Sequence, residues 1–504
     1  MMSSRGRFLL ASFLIWIPLQ SRISNAQVSV QSLSVARYGT LPNTNEGNNP
    51  SYYSDLLIEY RRDWLRAGLR GEGFGSSEFE NGYQHISQRY AEISYEWAEV
   101  RAGNFYGAFG QGIILRSFEL PGFVYESRVF RTQQRIVRDI DGLKITLRPG
   151  PLEVTALAGT PVDPLLPPEN DARRTGDVVG GQAKINLPGA VSIGAAYLEH
   201  ETTFRSKLAT YFASWTADAL LQKIGLPSAT LDLSGEYATD NGFGKAASFD
   251  LESPHALYLS GNFTINTVGG SFEYKDYRSF DFGINDPPPL IRENAEYLLN
   301  RSTHVLDASA EQGVQMELYF SPNSHWRFLG NYSRARNNFG ENLKPLFEER
   351  YLGIEYLGGP WFVRAFADGG KDELFSEVER FTTGVSPEYQ FYNGTAMGMD
   401  IQWQRIRRAS LPFFDYDFTN LYLAARVLNW KKFTTALGVE RSSDPDITES
   451  SKYFLNLSLI WKPISQIDLQ LFAGKRRGGT ACDHGYCIEV LDFEGLEFRM
   501  ETRW

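Results

Sequence analysis

The sequence predicts an all-β fold, a closed antiparallel transmembrane β-barrel of about 24 strands, within roughly 20–26. Three observations carry that expectation. Apolar and polar residues alternate with period two almost from end to end, while helical periodicity is nearly absent. Short and long links between the alternating segments take turns along the whole chain. After the first 26 residues no stretch approaches the ~20 consecutive apolar residues of a membrane helix. Barrel strands are polar on alternate residues, so that test does not see them.

The chain opens with Arg5 and Arg7, the apolar run 8–19, and a polar stretch ending in "SNA". This is the pattern of a secretory signal peptide over 1–26, with the cut after Ala26. Alternation begins at once in "QVSVQSLSV", so 27–504 is expected to be one barrel with no separate plug domain in front of it. Similar alternation recurs in "LKITLR" (143–148), "MGMDIQWQ" (397–404), "KYFLNLSLIW" (452–461) and "QIDLQLFAG" (466–474). Tight links stand at 62–64, 148–151, 187–190, 265–267, 321–324, 357–360, 429–432 and 462–465. Longer ones include 38–51, 108–138, 161–176, 280–306 and 476–488. Short turns on the periplasmic side and long loops outside are the habit of outer-membrane barrels, and an even strand count puts both termini on the short-turn side. The segments near 98–107, 206–216 and 376–392 alternate least clearly. Aromatics make up 14% of the chain, and Trp64, Trp97, Trp326, Trp361, Trp430, Trp461 and Trp504 lie near strand ends. Such residues favour the membrane–water boundary.

The formal charge is −10. Removing Arg5, Arg7 and Arg22 with the leader takes three positive charges from −10 and leaves −13. An acidic chain without basic runs argues against nucleic-acid binding. The only cysteines, Cys482 and Cys487 in "CDHGYC", read as a local disulfide in an exported protein. The competing reading, a metal pair with His484, lacks the further ligands that zinc needs. No metal and no cofactor are expected. Nucleophile-elbow, P-loop, zincin and dinucleotide motifs are all missing from the sequence, so an enzyme is not expected.

The segment 108–138 is the longest link without alternation. It carries Arg116, Arg128, Arg131, Arg135 and Arg138, with Glu119 and Glu126 among them and aromatic residues interleaved. Clustered charges set selectivity in pores, which makes these seven residues candidates for a lumen constriction. Two other readings stand beside it: a solvated surface loop, and a plug held by ion pairs to wall carboxylates. The glycines of "FGQG" (109–112) suit a sharp entry into that loop.

The chain ends in "FEGLEFRMETRW", with Leu496, Phe498, Met500 and Trp504 on one parity and Glu497, Arg499, Glu501 and Arg503 on the other. Gly495, Leu496, Phe498, Met500 and the terminal aromatic Trp504 resemble the signal by which the barrel-assembly machinery recognises bacterial outer-membrane β-barrel proteins. A final Phe is commoner in that pattern, so Trp504 departs from it. More narrowly, "GNFYGAFGQGIILR" (103–116) and "KRRGGTACDHGYC" (475–487) resemble segments of a poorly characterised, porin-like barrel family of Bacteroidota-type bacteria. The resemblance implies the outer membrane, its lipid, and the assembly machinery as a partner during insertion. It implies no reaction and leaves oligomeric state open. The function expected is a channel for passive or selective passage of small solutes. The alternative is a plugged barrel working in secretion or surface assembly through protein partners, and, further off, a barrel enzyme.

Overall fold

A computed structural model describes residues 26–504 apart from 41–47, 78–81, 175, 202–204, 241, 244–252, 281–294, 304–309, 339–343, 411–413, 448–451 and 484–485. The expected leader therefore lies outside the described residues, save Ala26. The wall begins with β1 (Ala26–Thr40), β2 (Asn49–Arg62), β3 (Leu65–Ser76), β4 (Tyr83–Tyr95) and β5 (Ala98–Phe105). Two further strands, β6 (Phe118–Glu126) and β7 (Gln133–Arg138), form a separate hairpin, and the wall resumes with β8 (Ile140–Leu147). The main sheet has 24 strands. Each pairs antiparallel with the next in the chain; β5 pairs with β8, and the closing strand Phe493–Arg503 pairs with both Ile467–Arg476 and β1. The sheet thus has no free edge, as a strand-built span in lipid requires.

The predicted alternation of link lengths holds over most of the chain, with exceptions: on the short-turn side the link 217–229 is long and carries the helix Asp218–Lys223, and on the loop side the links 202–204, 373–376 and 411–413 are short, so the long link expected at 405–415 is mostly strand. Turns at 63–64, 96–97, 266–267, 324–325, 359–360, 431–432 and 465–466 mark one end of the barrel, and both termini lie there. The residue pairing explains why these turns are so short: Arg62 faces Leu65, Ile265 faces Val268, and Gly358 faces Trp361. Asn266, Asn429, Lys431 and Lys432 hold the positive φ that such turns demand. The weakly alternating segments are strands all the same, at Ala98–Phe105, Arg205–Thr216 and Glu377–Gln390.

Side chains divide by parity. Outward positions are apolar and exposed, such as Met316, Leu318, Leu352, Leu455, Leu457 and Leu496. The seven tryptophans singled out above are exposed as well, each at or next to the short-turn end. Inward positions are polar. Across β2 to β5, β8 and the strands beyond, Glu59 pairs with Arg66 (2.7 Å), Glu92 with Arg101 (3.3 Å), Glu99 with Lys144 (3.2 Å) and Glu153 with Lys184 (3.7 Å). An apolar outside and a charged inside are the inverse of a soluble protein and the arrangement of a barrel in a bilayer. Among the described residues, the clusters of buried hydrophobic side chains inside the barrel each include residues of infolded loops.

Candidate functional site

The link between β5 and β8 folds into the barrel instead of over it. Its first part, 107–117, closes on itself: Ser117 N–H donates to the Gly107 carbonyl (2.9 Å) and Phe109 N–H to that of Leu115 (3.0 Å). Gly110 and Gly112 turn the chain at φ +57° and +100°. Phe109, Ile113, Ile114 and Leu115 are buried against inward wall residues that include Leu157, Val178, Leu198, Leu208, Ala256 and Tyr277. Gly110 N–H donates to Gln182 (2.8 Å), and the Gln111 and Ile113 N–H groups donate to Glu236, which Thr210 also reaches (2.9 Å). A Cβ on Gly110 would stand 2.6 Å from the Glu236 carboxylate. The nest of backbone N–H groups at "FGQG" is therefore filled by the chain's own carboxylate and glutamine.

The second part is the β6–β7 hairpin, which lies against β1, β2, β3 and the closing strand. Arg135 pairs with Asp55 (3.3 Å) and with Glu119. Arg70 of β3 reaches the same Glu119 (3.0 Å) and Asp55 (3.6 Å). The Tyr106 hydroxyl donates to Glu119 (2.6 Å), and Arg135 N–H donates to Glu72 (2.8 Å), which also accepts from Tyr53 (2.9 Å). Burial pushes the Glu119 carboxyl up, but the guanidinium groups of Arg135 and Arg70 outweigh it and hold the group below the ordinary carboxylate range. Arg37 of β1 is clamped between Glu126 (2.6 Å) and Glu497 of the closing strand (2.5 Å), and Arg499 donates to the Gly122 carbonyl. On the closing strand Glu501 takes Arg499 (2.8 Å) and Arg503 (3.2 Å).

The seven charged candidates are thus not one ring. Glu119, Arg135 and Glu126 are drawn into pairs with the wall. Arg128 is exposed and pairs with Glu489 of the last long loop (2.6 Å). Arg138 stacks its guanidinium over Phe118 (5.6 Å). Arg131 occupies the hairpin turn at φ +56°, and Arg116 lies beside Gly112.

Two more loops enter the barrel. The one-turn helix Tyr297–Asn300 buries Leu298 and Leu299, with Leu299 against Tyr351 and Phe366. Tyr351 OH donates to Glu296 (2.8 Å), Leu298 N–H to Gln402 (2.9 Å) and Arg380 to the Ser302 carbonyl (2.7 Å). Arg301 forms a two-point bond with Glu440 (2.8 and 2.6 Å), and Tyr297 stacks on Tyr422 at 3.9 Å. The last long loop carries a small hairpin, Gly479–Asp483 with Tyr486–Val490. It starts at Arg477, bonded to Glu440 (3.4 Å) and Asp444 (3.3 Å). Cys482 and Cys487 face one another in the pairing register of that hairpin, but their side chains lie outside the described residues. The three loops meet through Arg128 and Glu489, through Val490 packed on the β6–β7 hairpin, and through Arg301 lying against Gly479.

Sequence reading missed the wall partners: Asp55, Arg70, Glu72, Glu236 and Glu440. Each is an inward charge in an alternating strand and looks like any other lumen residue. It also missed the helix 297–300, whose single turn has no periodicity to read.

No curated protein matches the chain. Among solved structures it is similar to Pseudomonas aeruginosa OccK5 (OpdH), at 10% identity over 72% of this chain and 96% of that one, with a TM-score of 0.42. It is also similar to the P pilus usher (PapC) translocation pore, at 12% identity over 95% and 99%, with a TM-score of 0.44. A third is the outer membrane protein OprD from Pseudomonas aeruginosa, at 13% identity over 70% and 89%, with a TM-score of 0.37. The barrel rests on its own strand pairing and draws nothing from these likenesses. Residues 24–341, which hold the whole infolded 107–138 loop and part of the wall that grips it, match one family model, and the chain belongs to that family, the family of unknown function DUF6029.

Proposed function

We propose that the protein is an outer-membrane channel for small solutes whose passage is narrowed by its own loops. One observation carries this reading: three loops are fastened to the inner wall, the last of them touching the other two, above a lumen lined by charged pairs. A bare barrel of 24 strands would enclose an aqueous pore. Infolded loops convert it into a narrower passage, where each charged side chain counts for more. Arg116, Arg128, Arg131 and Arg138, with the wall pairs beneath them, are the side chains we assign to selectivity. Glu119, Glu126 and Arg135 hold the loop in place. The reading needs no catalysis. It places the short-turn end in the periplasm and makes lipid and the barrel-assembly machinery the partners, with Gly495, Leu496, Phe498, Met500 and Trp504 as the assembly signal. The resemblance to Bacteroidota-type barrels belongs to the same reading.

The last long loop touching each of the other two favours a second reading, a barrel closed at rest and opened by a protein partner. Planar-bilayer recording of the refolded chain separates the two. The channel reading expects steady single-channel steps from the intact protein and a several-fold larger conductance after deletion of 112–136. A silent intact protein with a conducting deletion variant supports the closed reading. Equal conductance and ion selectivity in both proteins overturn the constriction.

A further inference from the structure

At the loop end of the wall, outward arginines are answered by carboxylates in several places. Arg405 pairs with Asp417 (2.7 Å), Arg407 with Glu379 (3.7 Å) and Arg205 with Glu199. Two arginines there are left over. Arg334 and Arg336 stand in the strand Trp326–Asn337 on the same parity as Trp326 and Tyr332, and both are exposed. Among the described residues neither has a hydrogen bond or an ion pair. Glu348 faces Arg334 in the pairing register, but it is taken by Arg350 of its own strand, whose side chain is 73% exposed. Lys371 faces Glu348 from the other side and pairs with Glu373 (3.2 Å). Four cations thus share two carboxylates in a chain whose formal charge is −10.

The depth of this patch follows from the strand that carries it. Trp326 marks the short-turn end. From there to Arg334 the strand climbs eight residues, about 27 Å along its own axis and about 20 Å across the bilayer at the usual tilt. Arg336 lies one outward step further. The pair therefore stands at the far edge of an apolar band about 25 Å tall, opposite the tryptophans. Below it the outward face is apolar and furrowed. Leu318 and Leu352 flank Gly330 in register, each about half exposed, and a Cβ on Gly330 would meet nothing within 4 Å. In the next outward row Met316 and Arg350 flank Tyr332.

We propose that Arg334 and Arg336 bind a phosphate of a phosphorylated glycolipid in the outer leaflet, with one of its acyl chains in the furrow over Gly330. A guanidinium presents a planar fork that matches a phosphate at two points. Two such groups side by side, with no carboxylate of their own, repel each other until an anion sits between them. Tyr332 lies between arginines and furrow, where its ring meets the acyl chain and its hydroxyl the sugar. A free phosphate would find the arginines but not the furrow. A zwitterionic phospholipid carries an ammonium that this patch repels. The proposal rests on the reading that puts the short-turn end in the periplasm, because that reading brings the patch to the leaflet where such glycolipids stand; it does not depend on conduction.

The test is native mass spectrometry of the full chain, refolded in detergent and offered diphosphoryl lipid A. Arg334→Gln combined with Arg336→Gln should weaken binding of the first lipid A about tenfold. Lipid A stripped of its phosphates should bind the unaltered chain no better than that variant binds lipid A. Gly330→Trp, which fills the furrow and keeps both arginines, should also weaken binding. Arg405→Gln combined with Arg407→Gln removes two outward arginines of the same end and should change nothing. All variants are compared at equal folded fraction, read as the heat-modifiable band on a gel. Equal loss in the two arginine pairs, or none in either, overturns the site. Competition by inorganic phosphate overturns the lipid as ligand, and competition by phosphatidylethanolamine or phosphatidylglycerol overturns the glycolipid. Orientation is read separately on cells, with an impermeant maleimide at Asn338→Cys beside the patch. Labelling above that of the unaltered chain is expected. Its absence overturns the orientation and the leaflet with it, whereas labelling together with unchanged lipid binding in the Arg334 and Arg336 variant overturns the site and spares the orientation.

Discussion

Glu119 shows how much of the loop's position hangs on single side chains. It receives Arg135, Arg70 and Tyr106, three groups from three separate stretches of chain. Breaking a buried pair by removing one partner costs about 3–5 kcal/mol, because the other charge stays buried. Glu119→Gln should therefore release the β6–β7 hairpin without unfolding the wall. Hydrogen exchange is the measurement: amides of 118–138 lose protection while those of β2 and β3 keep theirs. Unchanged protection would mean that the apolar contacts of 109–115 hold the loop alone. At Gly474 the constraint is steric. A methyl group there meets the Leu455 carbonyl at 2.2 Å in a conformation that L residues rarely adopt. Gly474→Ala should lower the folded fraction, read as the heat-modifiable band on a gel. Gly71→Ala, where nothing lies within 4 Å, should leave that fraction unchanged.

Among the elements, strands were legible where the two faces differ and faint where they do not. Arg205–Thr216 is the clearest example. Its inward residues Leu208 and Phe212 are apolar because they help hold the infolded loop, so apolar residues stand on both parities and the period of two disappears. In Ala98–Phe105 the crease at Gly103 breaks the alternation. The turns were legible because tight reversals select Asn, Gly and Pro. Partner choice was not. Arg135 and Asp55 are 80 residues apart, and nothing local marks one for the other. The loop as an element is expected to detach in two parts. Phe109→Ala, costing about 3–5 kcal/mol by the usual core truncation, should free 107–117 and leave the hairpin ion pairs in place. Bilayer recording should then show flickering between two conductance levels. A single unaltered level would show that 107–117 does not border the passage.

For the molecule as a whole, the closing strand is where sequence and architecture agreed most directly. Leu496 and Phe498 face outward, while Glu497, Arg499 and Glu501 face in and pair. Trp504 exchanges both backbone hydrogen bonds with Val30 (2.9 and 2.8 Å), so the final residue still belongs to the wall. Trp504→Asp should impair insertion, seen as a lower level of folded barrel in the membrane fraction; a normal level would remove Trp504 from the assembly signal.

The seam between β1 and the closing strand also sets a clock. Thr40 faces Glu494 and Gln31 faces Arg503, so the first strand waits for the last dozen residues before its second edge is covered. Contacts so distant along the chain carry the largest loop-closure entropy and form late. Until then the nascent sheet has two bare edges, each a template for pairing with another chain. Folding cannot proceed co-translationally toward a closed product, and a chain that loses its last strand keeps both edges open for good.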